Sequence, residues 1–334
     1  MNEHHHEGLP LSRRDLLLGG AAAGATLFFA GRNGLAQAAV SADWKWTDDR
    51  GIKIVLESQP KRVVAYNDAA AALYSFGITP AGIFGIAGLK DPNLKALPAD
   101  KVSEIGIVYG EIDLEKLAAA KPDLIVSTWY PPPRDAVPFG FKDKAQLDAI
   151  TAIAPVLAFN AHVIATTALR RFNRLSAALG GRPLKSPAVT QAKGRFDKQS
   201  AALKSAAGAK PGLSVLAISV FGGQAYIARP RDFADLLYFR NLGVDVVVPD
   251  TQSAFWEAVS YEQIGKYPAD VIMHDARPFV TQRADLLKIP TFANLPAVKA
   301  GQLGVWDATA PFSYTHYAKN MNRLAGLIRR SSKL

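Results

Sequence analysis

The side chains with most chemistry to offer are aromatic rings and a few arginines at the ends of short apolar runs. They are Tyr66 and Asn67, Tyr109, Trp129 and Tyr130, Phe221, Trp256, Arg277, and Phe312 and Tyr314. Arg229 joins them in Tyr226-Ile227-Ala228-Arg229-Pro230. Rings supply contact area at low entropy cost, and a guanidinium offers a two-pronged fork to carboxylate or catecholate oxygens. Such a set suits a large, flat, partly anionic ligand. Pro131-Pro132-Pro133 directly follows Trp129-Tyr130, so a rigid turn should hold those two rings at a loop tip.

Catalytic chemistry is poorly represented. No Gly-x-Gly-x-x-Gly follows a strand, and there is no Walker loop and no Gly-x-Ser-x-Gly elbow. Phe221-Gly222-Gly223-Gln224 reads as a hairpin turn, because Tyr226-Ile227-Ala228 is a further strand. The acidic residues are scattered, with no evident acid–base pair. The chain has no cysteine, which excludes disulfides, thiolate metal sites and a cysteine nucleophile. Past the first 38 residues only His162, His274 and His316 could ligate a metal through imidazole.

The elements that must position these groups alternate between strand and helix. Arg62 to Tyr66 is a strand, Asp68 can cap a helix from Ala69 to Phe76, and Ala81 to Gly85 is a second strand. Asp113 can cap Leu114 to Ala120, and Leu124 to Ser127 is a buried strand after Pro122. The grammar repeats later in the chain, with a strand at Leu213 to Val220, a helix at Phe233 to Asn241 and a strand at Val244 to Val248. Asp113-Leu114-Glu115 leading to Pro122-Asp123-Leu124-Ile125 is echoed by Ser260-Tyr261-Glu262 leading to Pro268-Ala269-Asp270-Val271-Ile272. Leu73-Tyr74 before Gly77 is echoed by Leu237-Tyr238 before Gly243. Strands alternating with helices imply parallel sheet, here in two lobes of one topology. Ala161 to Leu179 has no Pro or Gly and stops at Gly180-Gly181. As one helix it would be a rod of nearly 30 Å, with a second helical stretch from Ser186 to Ala207. A cleft between the lobes is the natural ligand site.

Length and composition fit this plan. The 334 residues are 49% hydrophobic and 20% charged, which is globular rather than disordered. Lys and Arg outnumber Asp and Glu by 39 to 29, which favours anionic partners, but the basic residues are too dispersed for a nucleic-acid surface. Residues 1–38 read as a leader. Ser12-Arg13-Arg14-Asp15-Leu16-Leu17 is a twin-arginine pattern, an apolar run extends from Leu16 to Ala30, and Ala36-Gln37-Ala38 offers a cleavage site. The mature chain would start near Ala39, in the periplasm.

The sequence resembles the periplasmic substrate-binding proteins of ABC importers for ferric siderophores, cobalamin and haem. The resemblance runs from about Lys61 to the end. It is carried by Arg62-Val63-Val64-Ala65, Ile112-Asp113-Leu114-Glu115, Lys121-Pro122-Asp123-Leu124-Ile125, Tyr261-Glu262-Gln263-Ile264, Ala269-Asp270-Val271-Ile272 and Leu295-Pro296-Ala297-Val298-Lys299-Ala300-Gly301-Gln302-Leu303. It implies an α/β fold of two Rossmann-like α/β lobes joined by a single long connector helix. The expected division is a leader at 1–38, an extension at 39–60, lobes at 61–160 and 182–334, and the connector at 161–181. It also implies a monomeric, non-enzymatic binding protein without a cofactor of its own, and the leader read above sends it out through the twin-arginine translocase. The cargo would be a ferric siderophore, held by Tyr66, Tyr109, Trp129, Tyr130, Phe221, Arg229, Trp256, Arg277 and Tyr314. The partners would be an inner-membrane permease and its ATPase, with Glu115 and Glu262, each in the first turn of a helix, docking onto the permease. The alternative cargoes are haem, with His274 contacting its iron, cobalamin, or a bare zinc or manganese ion, for which His162, His274 and His316 are the available imidazoles; an exported oxidoreductase is the alternative function.

Overall fold

The computed structural model describes residues 26–28, 44–131 and 137–334. The twin-arginine pattern, the cleavage site and Pro132-Pro133 lie outside the described residues.

Three short strands come first: β1 (Thr26–Phe28), β2 (Trp44–Thr47) and β3 (Lys53–Leu56), in the order β1-β3-β2. β1 falls inside the expected leader and pairs in parallel with β3. The β2–β3 hairpin is fastened to the next unit by its turn. Asp48, 5% exposed, accepts from the amides of Arg50, Ile52 and Ala158, and its carboxylate pairs with the Arg50 guanidinium at 2.7 Å.

A five-stranded parallel sheet follows, built from β4 (Val63–Tyr66), β5 (Gly82–Phe84), β6 (Ser103–Gly106), β7 (Leu124–Trp129) and β8 (Val156–Asn160). Its order is β6-β5-β4-β7-β8. The connections carry α1 (Asn67–Ser75), α2 (Leu114–Ala119) and α3 (Lys144–Thr151). β4 and β7 are buried along almost their whole length, as parallel strands covered on both faces must be. Alternation sorts their side chains. Val63, Ala65, Leu124 and Val126 face one core, while Val64, Tyr66 and Ile125 face another.

α4 (Ala165–Ala178) and α5 (Pro187–Gly208) then cross to the second sheet. The helix expected from Ala161 starts four residues late. The Asn160 side chain accepts the His162 amide at 2.8 Å, and this turn holds the strand exit out of helical geometry. At about 1.5 Å per residue α4 is about 21 Å long and α5 about 33 Å. α4 buries Ala165, Ala168, Leu169, Phe172 and Leu175, a stripe at helical spacing.

The second sheet contains β9 (Ser214–Phe221), β10 (Gln224–Ala228), β11 (Asp245–Val246), β12 (Trp256–Val259), β13 (Val271–Asp275) and β14 (Leu303–Trp306). β11, β13 and β14 run parallel to the β9 direction, and β9–β10 is the expected hairpin, with β12 paired antiparallel to β10. Its helices are α6 (Ala234–Asn241), the one-turn α7 (Arg283–Leu286), α8 (Pro290–Ala293) and α9 (Pro296–Lys299), and the C-terminal α10 (Tyr314–Arg330). α10 packs along α5. Among the described residues no helix is long and apolar enough to cross a membrane.

The repeat seen in the sequence is physical. Asp123, just before β7, accepts the amides of Lys61 and Arg62 at the start of β4. Asp270, just before β13, accepts the Ser214 amide and hydroxyl at the start of β9. α1 and α6 end alike. Gly77 and Gly243 sit at φ 92° and 93°, and the residue after each donates back five positions into its helix. Only glycine enters that left-handed cap without strain. One continuous apolar core joins the lobes. It takes Val63, Ala65 and Val126 from the first sheet, Val215, Ala217 and Met273 from the second, and Leu169 and Phe172 from α4.

Candidate ligand-binding cleft

The topology predicts where a ligand should lie. In the first sheet the strand order reverses between β4 and β7, so the crevice opens at their carboxyl ends. α1 starts directly after β4 there, and Tyr130 follows β7. In the second sheet β9 and β13 are the corresponding neighbours, and Arg277 follows β13. A cavity of about 490 Å³ joins these places. Its walls include Asp68, Tyr130, Phe139 and Ala161 from the first lobe. The second lobe adds Asp232, Phe233, Asp235, Phe255, Trp256, Arg277, Thr309, Phe312 and Tyr317.

Aromatic rings run across the lobe boundary as a chain of edge contacts. Tyr109 meets Phe139 at 5.3 Å, Phe139 meets Tyr130 at 5.6 Å, and Tyr130 meets Phe255 at 4.8 Å. Phe233 then touches Phe255, Trp256 and Trp306 at 5.0–5.3 Å between centroids. Phe255 holds φ at 62°, a strained conformation for a residue with a side chain. Its backbone is pinned on both sides, the amide donating to Asp232 at 2.8 Å and the carbonyl accepting the Arg229 amide at 2.7 Å. The ring is therefore placed by polar bonds rather than by local preference.

Tyr130, Trp256, Arg277 and Phe312 of the expected residues line the cavity. The others stand elsewhere, for identifiable reasons. Tyr66 is 5% exposed and packs edge-on against Phe84 and Phe139, since its parity along β4 turns it to the outer core. Trp129 shares the parity of Ile125 and Ser127 along β7. Phe221 stacks on Tyr226 at 4.5 Å beside the hairpin tip. Tyr109 meets the back of the wall through Phe139. Tyr314 packs on Phe76 and Phe196, and it is Tyr317, one turn further along α10, that reaches the cavity.

Both expected arginines already have partners. The buried Arg229 pairs with Asp232, which also faces His162 Nε2 at 3.4 Å. Arg277 binds Asp275 through Nε and Nη2 at 2.7 and 2.6 Å, and its guanidinium lies 5.7 Å from the Trp256 ring centre and 4.8 Å from that of Phe279. Unexpected in the cavity are Asp68 and Asp235, each the second residue of its helix. Asp68 does not cap α1. β4 runs straight into the helix, so the cap position falls on Tyr66, which offers no side-chain bond. Burial first, then repulsion from Asp91 and Asp307, push the Asp68 carboxyl up to about 7. Burial likewise pushes Asp235 up to about 7, with Asp307 adding to it, against hydrogen bonds from Trp306 Nε1 and the Leu236 amide, both at 2.8 Å.

The imidazoles are dispersed. His274 is 3% exposed on β13, with Nδ1 3.1 Å from the Asp275 carbonyl, and burial lowers its pKa. His316 Nδ1 lies 2.6 Å from the Ser313 hydroxyl. Among the described residues no three His, Asp or Glu side chains converge as a metal site. Glu115 is exposed in the first turn of α2, which Asp113 caps by accepting the Lys116 amide. Glu262 is also exposed, but in a hydrogen-bonded turn from Tyr261 to Gly265 rather than in a helix. There the tight backbone of Ser260–Lys266 replaces the expected helical turn.

Comparison with known proteins agrees with this architecture. The family described as periplasmic binding protein matches residues 63–310. DesE, a ferric-siderophore receptor protein from Streptomyces coelicolor, is 33% identical, with a TM-score of 0.79 over 87% of this chain and 99% of its own. The Fe3+–Desferal-bound siderophore-binding protein FhuD from Vibrio cholerae shares the fold at 19% identity, TM-score 0.60, over 81% of this chain and 99% of that one. VctP, a periplasmic catecholate-siderophore binding protein from the same organism, shares it at 21% identity, TM-score 0.60, over 85% and 98%. No curated protein matches the chain.

Proposed function

The chain belongs to the periplasmic binding protein family, a family of binding proteins rather than enzymes, and from that premise we propose that it captures a ferric siderophore between its lobes and delivers it to an ABC permease. The observation that carries the reading is the cavity at the two sheet crevices, walled by rings from both lobes. Iron would arrive wrapped in its organic chelator, so the protein supplies ring faces and hydrogen-bond donors rather than metal ligands. Similarity to DesE supports the same cargo class. The working compartment would be the periplasm, reached through the twin-arginine route with cleavage near Ala38. Glu115 and Glu262, one on each lobe, would meet the permease, and the partner ATPase would supply the energy for transport.

The test is tryptophan fluorescence of the mature protein, titrated with ferric siderophores, their iron-free forms, haem, cobalamin and zinc. Trp256 lines the cavity, so a ferric siderophore should quench it saturably, and Trp256→Phe should lose most of that signal. Saturation by haem, cobalamin or zinc with no response to any ferric siderophore would overturn the reading.

A further inference from the structure

If the cleft holds a ferric siderophore, its electrostatics restrict which kind. Four carboxylates at the cavity have no cationic partner: Asp68 and Asp235 in its wall, and Asp91 and Asp307 close enough to act on them. Among the described residues none of the four forms an ion pair. Asp91 accepts from the Asn93 amide and the Asn67 side chain, and Asp307 from Thr309, all neutral donors. The two nearby arginines bring no free charge, since Asp232 and Asp275 neutralise them. A second feature points to a ligand independently. Tyr317, 2% exposed in the cavity wall, has no hydrogen-bond partner for its hydroxyl among the described residues. The residue is buried but its hydroxyl opens on the cavity, where a ligand oxygen can accept its hydrogen bond.

On the siderophore reading, we infer that the cleft selects ferric complexes of zero or positive net charge and rejects anionic ones. Three hydroxamates cancel the charge of Fe3+, and a protonated amine on the chelator makes the complex cationic. Three catecholates leave it at minus three. The hydroxamate complex also presents carbonyl-type oxygens as acceptors for the Tyr317 hydroxyl. Burial, with repulsion from Asp307 on both and from Asp91 on Asp68, already holds Asp68 and Asp235 partly protonated near neutrality, so an incoming cation relieves that repulsion and an incoming anion adds to it.

The experiment compares one linear ferric trihydroxamate in three forms, with its terminal amine free, acetylated or succinylated, so that the iron core is constant and the charge steps from +1 to 0 to −1. Affinity should fall about tenfold at each step, as expected for a unit charge near unpaired carboxylates in a partly dry site. The steps should shrink in Asp68→Asn, which loses no hydrogen bond, and shrink further when Asp235→Asn is added. Tyr317→Phe should weaken all three forms alike. Equal affinities, or tightest binding of the succinylated form, would overturn the charge selection while leaving siderophore capture intact. Binding of none of the three, nor of a ferric tricatecholate, would overturn the siderophore reading itself and this inference with it.

Discussion

Replacing Asp68 by Asn removes an ionisation from the cavity wall while keeping the side-chain shape and sacrificing no hydrogen bond. Burial, Asp91 and Asp307 raise the carboxyl from 3.8 to about 7. A raised carboxyl pKa means that the protonated form fits the fold better. The group's contribution to stability is then fully present below pH 4 and is lost as pH rises through 7. Each pKa unit corresponds to about 1.4 kcal/mol, so the ionised carboxylate destabilises the empty protein by up to about 4 kcal/mol at pH 8. Near pH 5 the folded protein keeps its proton, and the penalty falls to about 1.5 kcal/mol. Asp68→Asn should therefore stabilise the unliganded protein at both values, by about 2.5 kcal/mol more at pH 8 than at pH 5. Urea unfolding followed by tryptophan fluorescence at the two pH values measures this directly. The core shared between the lobes favours one transition. A variant no more stable than the parent at pH 8, or a gain that does not change with pH, would refute the reasoning.

Two further outcomes are expected. Asp48→Ala strips a buried acceptor from the Ile52 and Ala158 amides and leaves the half-buried Arg50 without its counter-charge. Urea unfolding should show a loss of about 3–5 kcal/mol, and a loss below about 1 kcal/mol would count against the role given to that turn. Glu115→Ala combined with Glu262→Ala should leave ligand affinity within about twofold, because both side chains are exposed and outside the cavity, while abolishing uptake of iron-loaded siderophore by cells. Normal uptake by the double variant would dismiss the docking role.

The fold was legible because parallel strands, glycine-capped helices and the paired Pro-strand segments each leave a local mark. Asp113 capping α2 and the Gly222-Gly223 hairpin are both decided within a few residues. The cavity was less legible, because proximity to a strand end does not say which face a side chain takes. Tyr66 and Ala65 differ by one position and lie on opposite faces of the sheet. Tyr314 and Tyr317 differ by one helical turn, and only Tyr317 opens on the cavity. Asp68 looked like a cap because Asp often is one, and its true setting depends on β4 passing into α1 without a loop. The neutralised arginines were hidden for a similar reason. Asp232 is three residues from Arg229 and Asp275 two from Arg277, but sequence spacing alone does not say whether such neighbours pair or diverge.

The matching clasps of Asp123 and Asp270 and the matching places of Asp68 and Asp235 repeat across the two lobes, although the second sheet adds antiparallel strands that the first lacks. A site between such lobes receives some of its groups in pairs, and paired groups cannot tell one end of a ligand from the other. Orientation must come from what the lobes do not share. Those unmatched parts are the rings of Tyr130 and Phe255, the Arg277–Asp275 pair and the Tyr317 hydroxyl. Changes there should alter which way round a ligand sits, whereas changes to the duplicated carboxylates should alter only whether it is admitted.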